Sequence, residues 1–208
     1  PDMSNREYVS FKRIITSNQN REEIRAQVLK ADSREVEVIL QTITEFKDAA
    51  SATRLNYSSG PKLYTNFRLC LNNSLRRIWD KQVQGVNQTV NSFDNQVLLL
   101  VANFLPPNAL SIQRQYLAQS KKPFKVDTED LYYRLETISD YMAYFPNANN
   151  IPGFDESGLK ELFYSMMLPS WQQQFIIAGH EVAHLTPIRL VQVFSNFQRA
   201  HNAQRNTS

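Results

Sequence analysis

The chain has 208 residues, a net charge of +3, and 42% hydrophobic and 21% charged residues, the composition of an ordinary soluble globular protein able to bury roughly 70% of its unfolded surface. A single cysteine, Cys70, excludes an internal disulfide and any cysteine-built zinc site, and fits a reducing, cytoplasmic compartment. Five glycines disfavour phosphate-cradling loops, and the longest apolar run, Val97–Ala102, is far short of the ~20 residues that span a bilayer.

Ser4–Thr16 reads as a first helix, with Ser4 and Glu7 in capping-box spacing and Tyr8, Phe11 and Ile15 on one face. Asn20 is placed to cap a second, Arg21–Lys30, with Glu22 and Glu23 in the first turn, where the helix dipole favours acids. Ser33 is placed to cap a longer helix with a stripe of Val36, Ile39, Leu40, Ile43 and Phe46, and a polar loop, Ser51–Gly60, follows. Pro61 opens the next helix, whose apolar face of Phe67, Cys70 or Leu71, Leu75 and Ile78–Trp79 runs towards Lys81. Cys70, within that stripe, reads as a core thiol. Asp94–Leu105 is apolar nearly all round and reads as the buried central helix of a first domain. Pro106–Pro107 ends it, and Asn108–Gln119 makes a short final helix.

The stretch Asp127–Pro146 reads as the leading helix of a second domain. Asp127 or Thr128 is the N-cap; Leu131, Leu135, Ile138, Tyr141 or Met142, and Phe145 share a face; Pro146 stops it. A loop precedes a helix starting near Asp155, with Leu159, Leu162, Phe163 and Met166 inward, closed by Pro169. Ser170 and Gln173 stand in capping-box spacing before a short helix through Trp171, Phe175 and Ile176. Gly179–Leu185 is a connection. Thr186 as N-cap and Pro187 at N1 start the last helix, with Leu190, Val193, Phe194 and Phe197 inward. No period-two strand is predicted. The expected fold class is all-α, with about nine or ten helices.

Charge divides unevenly. Pro1–Lys125 holds 18 Lys+Arg and 11 Asp+Glu, a net of +7; Val126–Ser208 holds 5 and 9, a net of −4. With the basic linker Ser120–Val126, this predicts domains at 1–122 and 123–203 and a disordered tail at 204–208. The start at Pro1 rather than Met is expected of a trimmed or processed piece of a longer chain, and no signal peptide opens it.

The sharpest chemical pattern is His180-Glu181-Val182-Ala183-His184, a literal H-E-x-x-H. In a zinc peptidase both histidines lie on one helical face, the glutamate activates a water, and a third ligand comes from elsewhere. Here Gly179 precedes the pattern and Thr186–Pro187 follows, which predicts a loop; no Asp or Glu lies downstream of Glu181. No metal, cofactor or catalytic residue is therefore expected, and a zinc hydrolase stands as the alternative from another class. Phosphate-loop, dinucleotide and nucleophile-elbow signatures are absent. Arg76–Arg77 beside Trp79 and Lys121–Lys122 near Phe124 are candidate RNA-facing cations, although Trp79 falls on an apolar face and reads as core. Tyr132, Tyr133, Tyr144, Met166, Met167, Trp171 and Phe175 are the expected subunit contacts of the second domain.

Several stretches together resemble the Gag capsid region of LTR retrotransposons, especially copia-type elements of diatoms and oomycetes. Leu63–Trp79 resembles the family's F-x-x-x-L-x-G-x-A-x-x-x-W segment, with Asn72–Asn73–Ser74 where small residues are usual. Tyr116–Phe145 resembles the entry to the second capsid domain, ending in Tyr141-Met142-Ala143-Tyr144-Phe145-Pro146; within it, Arg134 and Leu135 match the aromatic-x-x-R-hydrophobic core of the major homology region. Leu159–Gln174 is similar to L-x-x-x-L-x-x-x-x-P-x-S-W-Q, with Pro169-Ser170-Trp171-Gln172 the most specific match. The resemblance implies a two-domain helical protein without enzymatic activity. Its partners would be copies of itself, in pentamer or hexamer rings and in dimers, forming a virus-like shell around element RNA. The family's RNA-binding zinc knuckle usually lies downstream, so RNA is expected to bind through a further segment. A domesticated monomeric adaptor or RNA-binding module is the other alternative.

Overall fold

The computed structural model describes residues 6–17, 20–54 and 59–206, with side chains described for all of these except 14–17, 20–22 and 205–206. The described residues form one β-hairpin followed by nine α-helices and a short 3-10 turn, a mostly helical architecture. By packing, the chain divides into one unit of 1–107 plus Tyr144–Pro146 and a second of 108–143 plus 147–208.

The first unit opens differently from the two short helices expected there. β1 (Tyr8–Ser17) and β2 (Asn20–Leu29) pair antiparallel, with Val9 opposite Val28, Phe11 opposite Ala26 and Arg13 opposite Ile24. These six are the less exposed positions, whereas Tyr8, Ser10 and Lys12 face solvent with Gln27 and Arg25. The pattern is thus period two, and β-branched Val9, Ile24 and Val28 suit it. Neither capping expectation applies: Ser4 lies outside the described residues, Glu7 pairs with Lys30, and Asn20 begins a strand. The helical reading failed because Tyr8, Phe11 and Ile15 also satisfy a three-and-four spacing.

α1 (Val36–Ala52) buries Ile39, Leu40, Ile43 and Phe46, the expected stripe, while Val36 stays half-exposed. Its N-cap is Glu35; Ser33 instead accepts the Glu35 N–H at 3.3 Å. β2 is tied to α1 where the Leu29 N–H donates to Glu45 Oε2 at 2.6 Å.

The single helix expected from Pro61 to Lys81 is two. α2 (Gly60–Leu69) stops at Cys70, and α3 (Asn73–Gln82) starts after Asn72. Asn72 makes the break: its Oδ1 accepts the Leu75 N–H at 2.9 Å as a cap, and its Nδ2 donates to Asp32 O at 2.7 Å. Between the helices Leu71 forms a parallel bridge with Ala31. α4 (Val90–Ala102) is capped reciprocally by Thr89 and Ser92. It is not buried all round: Phe93, Val97, Leu100 and Val101 point inward and Leu99 is exposed. The core is aromatic, with Phe67 set edge-on to Trp79, Phe46 and Phe93 at centroid distances of 4.9, 5.2 and 5.4 Å. Such pairs contribute about 0.5–1.5 kcal/mol each beyond buried area.

The second unit comprises α5 (Ala109–Gln119), α6 (Thr128–Met142), α7 (Glu156–Met166), α8 (Pro169–Ile177) and α9 (Pro187–Asn206). The division falls ahead of the basic linker because α5 packs against α7. Four cations of the basic half Pro1–Lys125 thereby belong to the second unit. Divided so, the first unit has 14 Lys+Arg and 11 Asp+Glu, a net of +3, and the second has 9 of each. The charge contrast nearly disappears. The helix α9 continues to Asn206, past the tail expected from 204.

The core of this unit gathers Tyr132, Phe163, Phe175 and Phe194, with Phe175 and Phe194 stacked at 5.2 Å. α6 is capped from a distance. Its Asp127 side chain makes no cap bond; instead Gln198 Oε1 on α9 accepts the Thr128 N–H at 2.9 Å. Gln198 Nε2 also donates to Asp127 Oδ1 at 3.1 Å, and Thr128 Oγ1 meets Ser195 Oγ at 2.7 Å.

Candidate interaction surface

The H-E-x-x-H residues follow a helix end whose geometry explains them. After α8, Gly179 takes φ 74°, its N–H donates to Ile176 O at 2.9 Å, and the His180 N–H donates to Phe175 O at 3.2 Å. This is the paired hydrogen-bond pattern that closes a helix through a left-handed glycine, with the following side chain packed back on the last turn. His180 does so, its ring 5.3 Å from that of Phe175. Val182–His184 then form a 3-10 turn, and His184 Nδ1 lies 3.2 Å from Glu181 Oε2. The two histidines therefore do not share a helical face. His201 packs against Trp171 at 6.0 Å. Among the described residues no three His, Cys, Asp or Glu side chains converge as metal ligands.

Most residues expected at subunit contacts lie inside. Tyr132, Met166, Met167, Trp171 and Phe175 are buried within the second unit, so a surface role for them is replaced by packing. Tyr133 is exposed. Tyr144 packs with the first unit, its ring 4.9 Å from Lys47 Nζ, which also pairs with Asp94 at 2.7 Å. Of the family-motif residues, Leu135 is buried, Phe145 and Pro146 are half-exposed, and Arg134 is exposed.

Pro169-Ser170-Trp171-Gln172 form the α7–α8 corner. Pro169 opens α8 at its first position rather than closing α7, and the N-cap, Leu168, makes no side-chain bond, so Ser170 is not a cap. Gln172 Nε2 donates to Tyr164 O at 2.9 Å, satisfying a carbonyl at the end of α7. Trp171 is buried beside Lys122, whose Nζ is 5.7 Å from the indole.

The candidate RNA-facing cations are largely engaged. Arg76 donates to Arg68 O and Leu69 O at 3.0 and 3.1 Å, holding the end of α2. Lys121 donates to Ser165 O at 3.0 Å, and Lys122 to Val126 O. Burial pulls the Lys122 ammonium below the ordinary lysine range, opposed by the nearby Asp127 carboxylate. Arg77 is exposed. Cys70 is buried, and burial pushes its thiol up to about 12.

Two surface features of the second unit remain. Ile176, Ile177 and Ile188 are 64%, 77% and 73% exposed. Between α6 and α9 runs a groove of about 400 Å³ lined on the α6 side by Glu129, Tyr133 and Glu136 and on the α9 side by Ile188, Arg189 and Arg199. Tyr132 also lines it; its hydroxyl is buried without a hydrogen-bond partner. Burial raises the Tyr132 phenol above its ordinary range, with Glu136 and Glu156 adding to it; Glu136 is itself raised by burial and then by Asp140. Sequence reasoning named Tyr132 and Tyr133 on one wall of the groove but missed its α9 wall and the exposed isoleucines. Ile188 is the legible signal, an isoleucine standing off the inward stripe of Leu190, Val193 and Phe194.

No family model, curated protein or solved structure matches the chain. Among the described residues no helix is long and apolar enough to cross a membrane.

Proposed function

We propose that the chain is a structural protein of the Gag capsid type, associating with copies of itself into a shell that encloses element RNA. The observation that carries this reading is the exposure of Ile176, Ile177 and Ile188 on a unit whose core already buries Tyr132, Phe163, Trp171, Phe175 and Phe194. Single exposed apolar residues are ordinary. Three bare isoleucines around one helix end and the next helix start are the composition of an association surface. Two separately packed, mostly helical units and the resemblance of Pro169–Gln172 to the family motif support it further.

The mechanism is binding without bond chemistry. Individually weak contacts, repeated by symmetry, add up to a stable particle. Because Arg76, Lys121 and Lys122 serve backbone carbonyls, RNA contact falls to other cations such as Arg77 or to a further segment. Sedimentation velocity over rising concentration tests the reading, comparing wild type with Ile176→Ser/Ile177→Ser. Wild type is expected to associate and the variant to associate more weakly. A wild-type chain that stays at the 24.1 kDa monomer mass throughout would overturn it.

A further inference from the structure

We infer that the groove between α6 and α9 is a pairing surface for a second copy of the same groove, the acidic wall of each copy meeting the basic wall of the other. The inference rests on the reading that the chain self-associates and names one surface through which it does so.

The argument is one of charge and symmetry. The α6 wall carries Glu129 and Glu136, and the α9 wall carries Arg189 and Arg199. These walls are not ion-paired to one another: Arg189 reaches only Gln192, at 3.4 Å, and no ion pair at Glu129, Glu136 or Arg199 occurs among the described residues. Tyr133 and Ile188, both largely exposed, place apolar surface beside these charges. A partner of one charge sign would be drawn to one wall and repelled by the other. A two-fold contact presents the same residues twice, so a face of single sign repels itself, whereas a face divided between signs complements itself. The second copy is thus the occupant that satisfies both walls at once.

A charge-sorting experiment tests this. In one variant, Glu129→Arg/Glu136→Arg, both walls are basic; in the other, Arg189→Glu/Arg199→Glu, both are acidic. All four positions are exposed or half-exposed, and circular dichroism confirms that the variants fold. Each variant alone is expected to self-associate about tenfold or more weakly than wild type, since every cross-wall contact becomes like-charged. An equimolar mixture is expected to recover association as heterodimers, read by native mass spectrometry. Should a double change impair folding, Ile188→Asp is the simpler variant, with the same expected loss of pairing. Variants that associate like wild type, or a mixture that fails to recover, would overturn the groove assignment and leave self-association standing. A monomeric wild type would overturn both.

Discussion

Replacing Gln198 by methionine tests the distant cap on α6. Gln198 is buried at the α6–α9 contact, and methionine nearly conserves its volume, so the change removes hydrogen bonds without opening a cavity. Three contacts are lost: Thr128 N–H to Oε1 at 2.9 Å, Nε2 to Asp127 Oδ1 at 3.1 Å, and a marginal one to Val126 O at 3.5 Å. Asp127 is exposed and returns to water at little cost. Thr128 is 1% exposed, and its N–H has nowhere to turn. An unsatisfied buried donor costs about 1–3 kcal/mol, and each kcal/mol lowers the melting temperature by about 2–4 °C in a chain of this size. Thermal melting should show that loss, and hydrogen exchange should show reduced protection of the first-turn amides of α6. A change under about 0.5 kcal/mol, well below the cost of an orphaned donor, with Thr128 exchange unaltered would refute the capping role.

Gly60→Ala should destabilise the first unit by about 1–3 kcal/mol in denaturant melts, since a Cβ there would lie 2.0 Å from Gln88 O and 2.7 Å from Thr89 Cα, both backbone; an unchanged midpoint would contradict it. Tyr132→Phe removes a buried hydroxyl with no partner and should leave stability unchanged or higher, whereas a loss of about 1 kcal/mol or more would mean the hydroxyl is bonded. Cys70, whose thiol is held at about 12 by burial, should react with a thiol reagent only as the chain unfolds; rapid labelling of native protein would show it accessible. The Arg68 guanidinium, bonded to both Asp80 oxygens at 2.6 and 2.7 Å, holds the Asp80 carboxyl below its ordinary range. A depressed folded pKa contributes stability that is present above the unfolded value and lost as pH falls through the folded one. The stability gap between wild type and Asp80→Asn should therefore narrow on acidification, and a gap independent of pH would sink the pairing.

The helical part of the fold was legible where periodicity and caps agreed. Thr186 and Pro187 open α9 with the Arg189 N–H on Thr186 Oγ1 at 3.3 Å, and Asp155 caps α7 through the Gly158 N–H at 2.7 Å. The loop placement of His180 and His184 followed from Gly179, whose positive φ ends α8. The hairpin was hidden because Tyr8, Phe11 and Ile15 satisfy a helical spacing, whereas the strands are set by the pairing of Val9, Phe11 and Arg13 with Val28, Ala26 and Ile24, a non-local fact. The split of α2 from α3 depends on Asn72 reaching Asp32, forty residues away. Surface and core at Met166, Trp171 and Phe175 could not be told apart because apolar residues suit both, and only the packing of α8 on α9 decides. Gln198 carries no local signal at all, since its partners are about seventy residues upstream.

The most direct test of the central claim is negative-stain electron microscopy of the purified chain at rising concentration, with nucleic acid removed. Closed shells of regular size, absent from the Ile176→Ser/Ile177→Ser variant, are the predicted result. Fields without particles, from a chain whose scattering mass stays at 24.1 kDa, would contradict it.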